Sequence, residues 1–155
     1  MRYVSSSGAS AECVFCLALS AGDDARALVV HRGRLAFLIL NAFPYASGHL
    51  MTALNRHGVS LEEATPAELA DAMDLTQLAI RALRATYRPD GFNVGVNEGR
   101  VAGAGVADHL HIHVVPRWNG DANFMTVIGE TKVLPEALET TFERLSGALA
   151  SPPAT

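Results

Sequence analysis

The sequence predicts an α+β domain in which one long helix and a C-terminal helix cover an antiparallel sheet. Short apolar runs bounded by turn residues indicate strands arranged in hairpins. One long stretch with helical spacing lies between two groups of these runs. The connections between the segments are short, and the three observations together are typical of the α+β class.

Five segments are predicted as strands because they are short, apolar and bounded by glycine, proline or polar residues. Residues 28–32 and 35–40 are expected to form a hairpin around Gly33 and Arg34. The other predicted strands are residues 49–54, 92–97 and 109–115, and residues 124–128 are a candidate for one more.

The long helix has both a start signal and a stop signal. Thr65 can cap it, Pro66 suits the first helical position, and Glu68 completes a capping box. Pro89-Asp90-Gly91 ends the helix near Tyr87. Its predicted buried stripe consists of Leu69, Ala72, Met73, Ala79, Ile80, Leu83 and Tyr87. A last helix is predicted from residue 135 to about residue 149.

Length and composition favour one folded domain, since the chain has 155 residues, of which 49% are hydrophobic. We expect the domain at residues 13–149, with flexible tails at residues 1–12 and 150–155. A net charge of −4 without a basic stripe argues against nucleic acid as a partner. The lack of a long apolar run argues against a membrane span, and residues 1–12 do not resemble a signal peptide.

Three histidines at alternate positions are the most informative feature. On a strand, His109, His111 and His113 share one face, and the apolar residues between them share the other, beneath the long helix. Packing gives no reason for three imidazoles on one face. The alternatives are a solvent-exposed face that happens to carry histidines and a catalytic zinc site with three histidine ligands.

Cys13 and Cys16 have the close spacing of half a zinc site. No further cysteines exist to form a disulfide framework, which indicates a reducing, cytoplasmic setting. Two more ligands would be needed, and the spacing alone does not choose among His31, His49, His57, His109, His111 and His113.

The chain resembles the histidine triad (HIT) superfamily. The resemblance is carried by the glycine-rich residues 102–108, followed by His-x-His-x-His-Val-Val-Pro-Arg. It extends to Cys13-Val14-Phe15-Cys16, Asn41, Gly48-His49 and Asn97-Glu98-Gly99. Residues 118–125 are similar to a bacterial subgroup of diadenosine tetraphosphate phosphorylases and hydrolases. The resemblance implies a HIT-like fold and a homodimer.

For catalysis, the resemblance implies that His111 attacks the α-phosphorus of a nucleotide and forms a nucleotidyl-histidine intermediate. His113 would bind a phosphate oxygen or assist the leaving group. Asn41 would lie at the ribose and Asn97 near the phosphates. A neutral imidazole is a competent nucleophile near pH 7, provided that a hydrogen bond fixes its tautomer. We expect that acceptor to be a backbone carbonyl within residues 102–108.

The glycine-rich loop is expected to bind phosphate. Gly99, Gly103 and Gly105 permit positive φ, so that backbone N–H groups can point at phosphate oxygens. The loop lacks the glutamine and the hydroxyl residue that many HIT proteins carry between the loop glycine and the triad. Inorganic phosphate is therefore as plausible an acceptor as water.

In zinc-bearing relatives, the resemblance places the two remaining ligands at His57 and His109. The resulting Cys2His2 site would be closed and structural, and it would leave His111 free to react. The resemblance also implies a supporting role for His49. Phe15, Phe37 and Ile39 would either flank the base or belong to the core.

These features favour a nucleotide hydrolase or phosphorylase that acts on dinucleoside polyphosphates. A nucleoside phosphoramidase and a nucleotide-binding sensor without turnover are the alternatives.

Overall fold

The computed structural model describes residues 13–121 and 136–150. Its sheet has five antiparallel strands in the order β1-β2-β3-β5-β4. The strands are β1 (Val29–Arg32), β2 (Ala36–Leu40), β3 (Leu50–Leu54), β4 (Gly91–Gly95) and β5 (His111–Arg117). The prediction of an antiparallel sheet is confirmed.

The strand ends differ from the predicted ones by up to two residues, and two of these shifts affect histidines. His49 and His109 were expected inside strands, but each lies just before one, ahead of β3 and β5 respectively. Both imidazoles are 1% exposed. A residue ahead of a strand need not follow its alternation, so these two rings are positioned by tertiary contacts.

The long helix, α3 (Pro66–Tyr87), begins at the predicted capping box. The Thr65 hydroxyl accepts from the Glu68 backbone N–H at 3.3 Å, and the Glu68 carboxylate accepts from the Thr65 N–H at 2.8 Å. The helix packs across β2, β3 and β5. Its fully buried residues include Ala72, Leu75, Ala79 and Leu83, whereas Met73 is 49% exposed. The prediction of a buried Met73 was therefore wrong, and Leu75 belongs to the stripe.

The opposite face of the sheet carries two short helices that the sequence did not predict, α1 (Val14–Ser20) and α2 (Asp24–Ala27). Helices of one or two turns are too short to show a period. Phe15 and Ala18 of α1 pack on side chains of β2 and β3, namely Phe37, Ile39, Met51 and Ala53. Arg32 holds the end of α1 by donating to the Leu19 carbonyl at 2.8 Å.

The C-terminal helix, α4 (Leu138–Ala150), packs on α3 and β1. It begins three residues after the predicted start at residue 135 and ends one residue after the predicted domain end at residue 149. The predicted tail at residues 1–12 and the candidate strand at residues 124–128 lie outside the described residues, as does the predicted tail at residues 150–155 except for Ala150, which is the last residue of α4. None of the helices in the described part of the chain could span a membrane.

Candidate active site

The triad lies on the face of the sheet opposite α3. His111 and His113 alternate with Ile112 and Val114 on β5, and Val114 lies in the core beneath α3. This confirms that the imidazoles and the apolar residues occupy opposite faces. His111 is only 4% exposed, and His113 is half-buried.

His111 has a fixed tautomer. Its Nδ1 lies 2.7 Å from the backbone carbonyl oxygen of His109. Because a carbonyl only accepts, Nδ1 carries the proton and Nε2 presents a lone pair. The acceptor was expected within residues 102–108 and is instead His109, because the ring folds back over its own strand.

Burial lowers the pKa of His111, and the His109 carbonyl opposes this shift in part. The neutral imidazole is therefore favoured. The ring packs against Phe15 at 4.8 Å and His113 at 4.9 Å between centroids. Nε2 of His111 has no hydrogen-bond partner among the described residues. It is also not one of their fully buried unpartnered polar atoms, which are Asn55 Oδ1 and Ser146 Oγ, so Nε2 retains contact with solvent.

A second chain of hydrogen bonds sets the tautomer of His113. The backbone N–H of Tyr45 donates to Nδ1 of His49 at 3.2 Å, so Nε2 of His49 carries the proton. That Nε2–H donates to Nδ1 of His113 at 3.0 Å. His113 must therefore carry its own proton on Nε2, the nitrogen that is not engaged with His49.

Both of these histidines are held neutral. Burial, followed by the charges of His113 and His111, lowers the pKa of His49 to about 3. Burial, followed by the charge of His111, lowers the pKa of His113 to about 4. At neutral pH, the site therefore combines an imidazole lone pair at His111 with an N–H donor at His113.

The two asparagines lie near this histidine network. Asn41 has its amide nitrogen 3.4 Å from Nδ1 of His49 and accepts from the Phe43 N–H at 2.9 Å. Asn97 lines the same cavity as His113. Phe15, Phe37 and Ile39 are all buried between α1 and the sheet.

The glycine-rich loop contains a short 3₁₀ turn at Arg100–Ala102. Gly99 and Gly103 have φ values of 78° and 88°, as expected for glycine. Gly105 is not among the glycines with positive φ. The Gly103 N–H donates to the Arg100 carbonyl at 3.1 Å and does not face outward here.

Four residues can hold a metal ion, and they are the predicted set of Cys13, Cys16, His57 and His109. Their ligand atoms all lie within 4.8 Å of one another. The Nδ1 atom of His109 is 3.4 Å from the Cys13 sulfur, 3.7 Å from the Cys16 sulfur and 3.4 Å from Nδ1 of His57. Ligands of a tetrahedral ion with zinc-like bond lengths lie about 3.3–3.8 Å apart, so the spacing fits.

The tautomer of His109 also suits a metal ligand. Its Nε2 donates to the Leu54 carbonyl at 2.6 Å, which leaves the Nδ1 lone pair facing the two sulfurs. Burial and the neighbouring Cys13 raise the pKa of Cys16, which means that its thiolate is disfavoured. A bound cation would stabilise that thiolate. Because His109 turns towards the cysteines, the triad does not form the alternative three-histidine metal site.

A cavity of about 860 Å³ borders His113. Its walls also include Tyr45, Asn97, Val115, Arg117 and Arg144. Tyr45 and Arg144 had no signal in the sequence, because nothing in the local pattern shows which loop and helix residues meet at this cavity. Arg117 was visible only as the last residue of the triad motif.

Comparisons with known proteins agree with this geometry. A family model described as HIT domain matches residues 23–120. The AP-4-A phosphorylase of Mycobacterium tuberculosis is 49% identical over 131 residues, which is 84% of this chain and 67% of that protein.

Solved structures agree as well. A Zn-bound histidine triad family protein from Mycobacterium smegmatis superposes with a TM-score of 0.72 at 31% identity, covering 92% of this chain and 96% of that one. A hypothetical histidine triad nucleotide-binding protein from Sulfolobus tokodaii has the same fold, with a TM-score of 0.71 at 24% identity over 89% of this chain and 92% of that one. With a matching family model, a close relative and the triad geometry in agreement, this chain belongs to the HIT domain family.

Proposed function

We propose that this chain cleaves dinucleoside polyphosphates such as diadenosine tetraphosphate and transfers the nucleotidyl group first to His111. The observation that carries the proposal is the tautomer of His111, whose Nδ1–H is held by the His109 carbonyl at 2.7 Å so that Nε2 is the free nucleophile. The AP-4-A phosphorylase of M. tuberculosis, 49% identical, supports the substrate class.

In the first step, Nε2 of His111 attacks the α-phosphorus, and the bond from that phosphorus to the bridging oxygen breaks. The departing oxygen takes a hydrogen bond or a proton from Nε2–H of His113. Asn41 would contact the ribose and Asn97 the phosphates, with backbone N–H groups at Gly103 and Gly105 as further donors. Binding would then require the Gly103 N–H to exchange its bond to Arg100 for one to phosphate.

In the second step, an acceptor attacks the phosphorus and the bond to His111 breaks. We propose inorganic phosphate as the acceptor. The loop Gly103-Ala104-Gly105-Val106 offers no side chain to orient a water molecule, and its small residues leave room for a larger nucleophile. The product of this second step would then be a nucleoside diphosphate.

The metal ion is proposed to be zinc in a structural role. Cys13, Cys16, His57 and His109 would occupy all four coordination positions of a tetrahedral ion, so none would remain open for a substrate. Cysteines of this kind are consistent with a reducing, cytoplasmic setting. A homodimer is also proposed, since β4 lies at the outer edge of the described sheet with Asn93, Val94 and Gly95 exposed.

The deciding experiment is a product profile on diadenosine tetraphosphate with and without inorganic phosphate. Phosphorolysis yields ADP and ATP and requires phosphate, whereas hydrolysis yields AMP and ATP. An acid-labile adenylate should be trapped on the wild type and be absent from His111→Asn. AMP as the product under both conditions would refute the phosphate acceptor.

Two further outcomes would support the alternatives. Tight nucleotide binding without turnover or adenylation would indicate a sensor. Faster cleavage of adenosine phosphoramidate than of diadenosine tetraphosphate would indicate a phosphoramidase.

A further inference from the structure

Tyr45 presents an exposed aromatic ring at the edge of the catalytic site. Tyr45 lies in the loop between β2 and β3 and is 63% exposed. The ring centroid lies 4.6 Å from that of His49 and 6.1 Å from that of His113, and the ring is within 23° of parallel to His113. Among the described residues, nothing forms a hydrogen bond with its hydroxyl group.

The backbone of Tyr45 is fixed independently of its side chain. The Tyr45 N–H donates to Nδ1 of His49, which is itself almost fully buried. The loop is therefore anchored by a main-chain bond that any residue other than proline can make. The exposed ring does not hold the loop in place, and it forms part of the wall of the cavity beside His113.

That cavity lies on one side of the reacting atoms. Its lining includes His113 and Asn97 but not Asn41, the position at which the family resemblance places the ribose of the attacked nucleotide. In an in-line displacement, the leaving group departs on the side opposite the nucleophile. The cavity borders the proton donor His113 and not the nucleophile His111, so it is on the side of the leaving group.

The walls of the cavity suit an uncharged aromatic group better than a polyphosphate. Arg117 is paired with Asp121 at 2.6 Å and donates to Asn93 at 2.6 Å. Arg144 is paired with Glu136 at 2.9 Å. Since both cations are compensated, little net positive charge faces the cavity. Val115 and the ring of Tyr45 contribute apolar surface to the same walls.

We propose that this cavity is the subsite for the nucleoside of the leaving group and that Tyr45 stacks on its base. The proposal rests on the proposed function and predicts a selectivity that the histidines alone would not provide. The histidines act on any phosphoanhydride, whereas a stacking platform on the side of the leaving group favours a substrate with a nucleoside at both ends. Stacking of a base on an aromatic side chain contributes roughly 1–3 kcal/mol.

The test compares two substrates that differ only in the second nucleoside, diadenosine tetraphosphate and adenosine 5′-tetraphosphate. The measured quantity is the ratio of their kcat/KM values. We expect Tyr45→Ala to lower this ratio about tenfold and Tyr45→Phe to keep it within about twofold. Phe43→Ala is the matched control, since Phe43 is 66% exposed in the same loop but does not line the cavity.

An unchanged ratio in Tyr45→Ala would overturn the subsite, as would an equal fall in Phe43→Ala. Equal kcat/KM values of the wild type for the two substrates would also overturn it. Failure of the proposed function would look different, because the wild type would then turn over neither substrate. Tyr45→Ala removes a largely exposed ring, so its folding can be verified by an unchanged unfolding midpoint.

Discussion

The Nε2 atom of His49 lies 3.0 Å from Nδ1 of His113, and this contact decides which nitrogen of His113 carries the proton. His49 is itself oriented by the Tyr45 backbone N–H at 3.2 Å. A buried neutral histidine outside the triad therefore fixes the N–H of His113, the group that we propose as donor to the leaving oxygen.

Substitution of His49 should affect the chemical step more than substrate binding. In His49→Ala, nothing holds the tautomer of His113, and we expect kcat to fall about 10- to 100-fold with a change in KM of less than about threefold. Steady-state kinetics on diadenosine tetraphosphate measures both. The matched control is His31→Ala, which removes a histidine on β1 away from the cavity. A rise in KM alone would contradict a positioning role.

Removal of the nucleophile should abolish turnover. We expect His111→Asn to lower kcat by about 10³-fold or more, because no other side chain in the site presents a free imidazole lone pair at that position. Nucleotide binding should persist, as calorimetry with a non-cleavable dinucleotide analogue can show. Substantial residual turnover in this variant would be incompatible with the covalent route.

The metal site should contribute to stability. Cys13→Ser should lose one equivalent of zinc per chain and lower the unfolding midpoint, since the ion would join α1 to the start of β5. Elemental analysis and thermal denaturation measure the two effects. Ser20→Ala, which alters an exposed hydroxyl at the end of α1, is the control and should retain the metal. Equal metal content in Cys13→Ser and the wild type would discard this ligand set.

Stability should fall as the pH is lowered from about 6.5 towards 4. The folded-state pKa of His49 is about 3, below the value of about 6.5 expected in the unfolded chain. Between these values the unfolded state binds more protons, so the free energy of unfolding decreases with falling pH, by at most about 1.4 kcal/mol per pH unit for this group. Urea denaturation at a series of pH values measures this dependence, and the free energy of unfolding should change less steeply with pH in His49→Gln than in the wild type. An equal pH dependence of the free energy of unfolding in the two proteins would show that His49 does not titrate in this way.

Gly48 should not tolerate a side chain. Its φ is +80°, and an added Cβ would lie 2.8 Å from the Leu83 Cδ2 atom of α3. We expect Gly48→Ala to lower the free energy of unfolding by about 2 kcal/mol or more, from the left-handed backbone and the steric contact together. Gly147→Ala, in α4 with open space around it, should be neutral or stabilising by up to about 1 kcal/mol. Similar effects of the two substitutions on denaturant unfolding would contradict this explanation.

The features that the sequence alone determined are local or periodic. The strand alternation placed His111 and His113 on one face and Val114 on the other, and the signals at Thr65, Pro66 and Glu68 located the start of α3. Each depends on residues only two or three positions apart, so it can be read without knowing the fold. The family resemblance added the proposed nucleophile His111 and the two predicted histidine ligands of the metal site, which spacing alone had left open.

Tertiary structure decided the protonation pattern and the cavity. His49 and His113 are 64 positions apart, and Cys13 and His109 are 96 positions apart. Contacts at such separations depend on how the loops fold over the sheet, and a local pattern does not contain that information. The same reason explains why Met73 was assigned to the core and why Tyr45 was overlooked. The acceptor for His111 is a different case, because the His109 carbonyl lies only two positions away and the ring reaches it by folding back over its own strand.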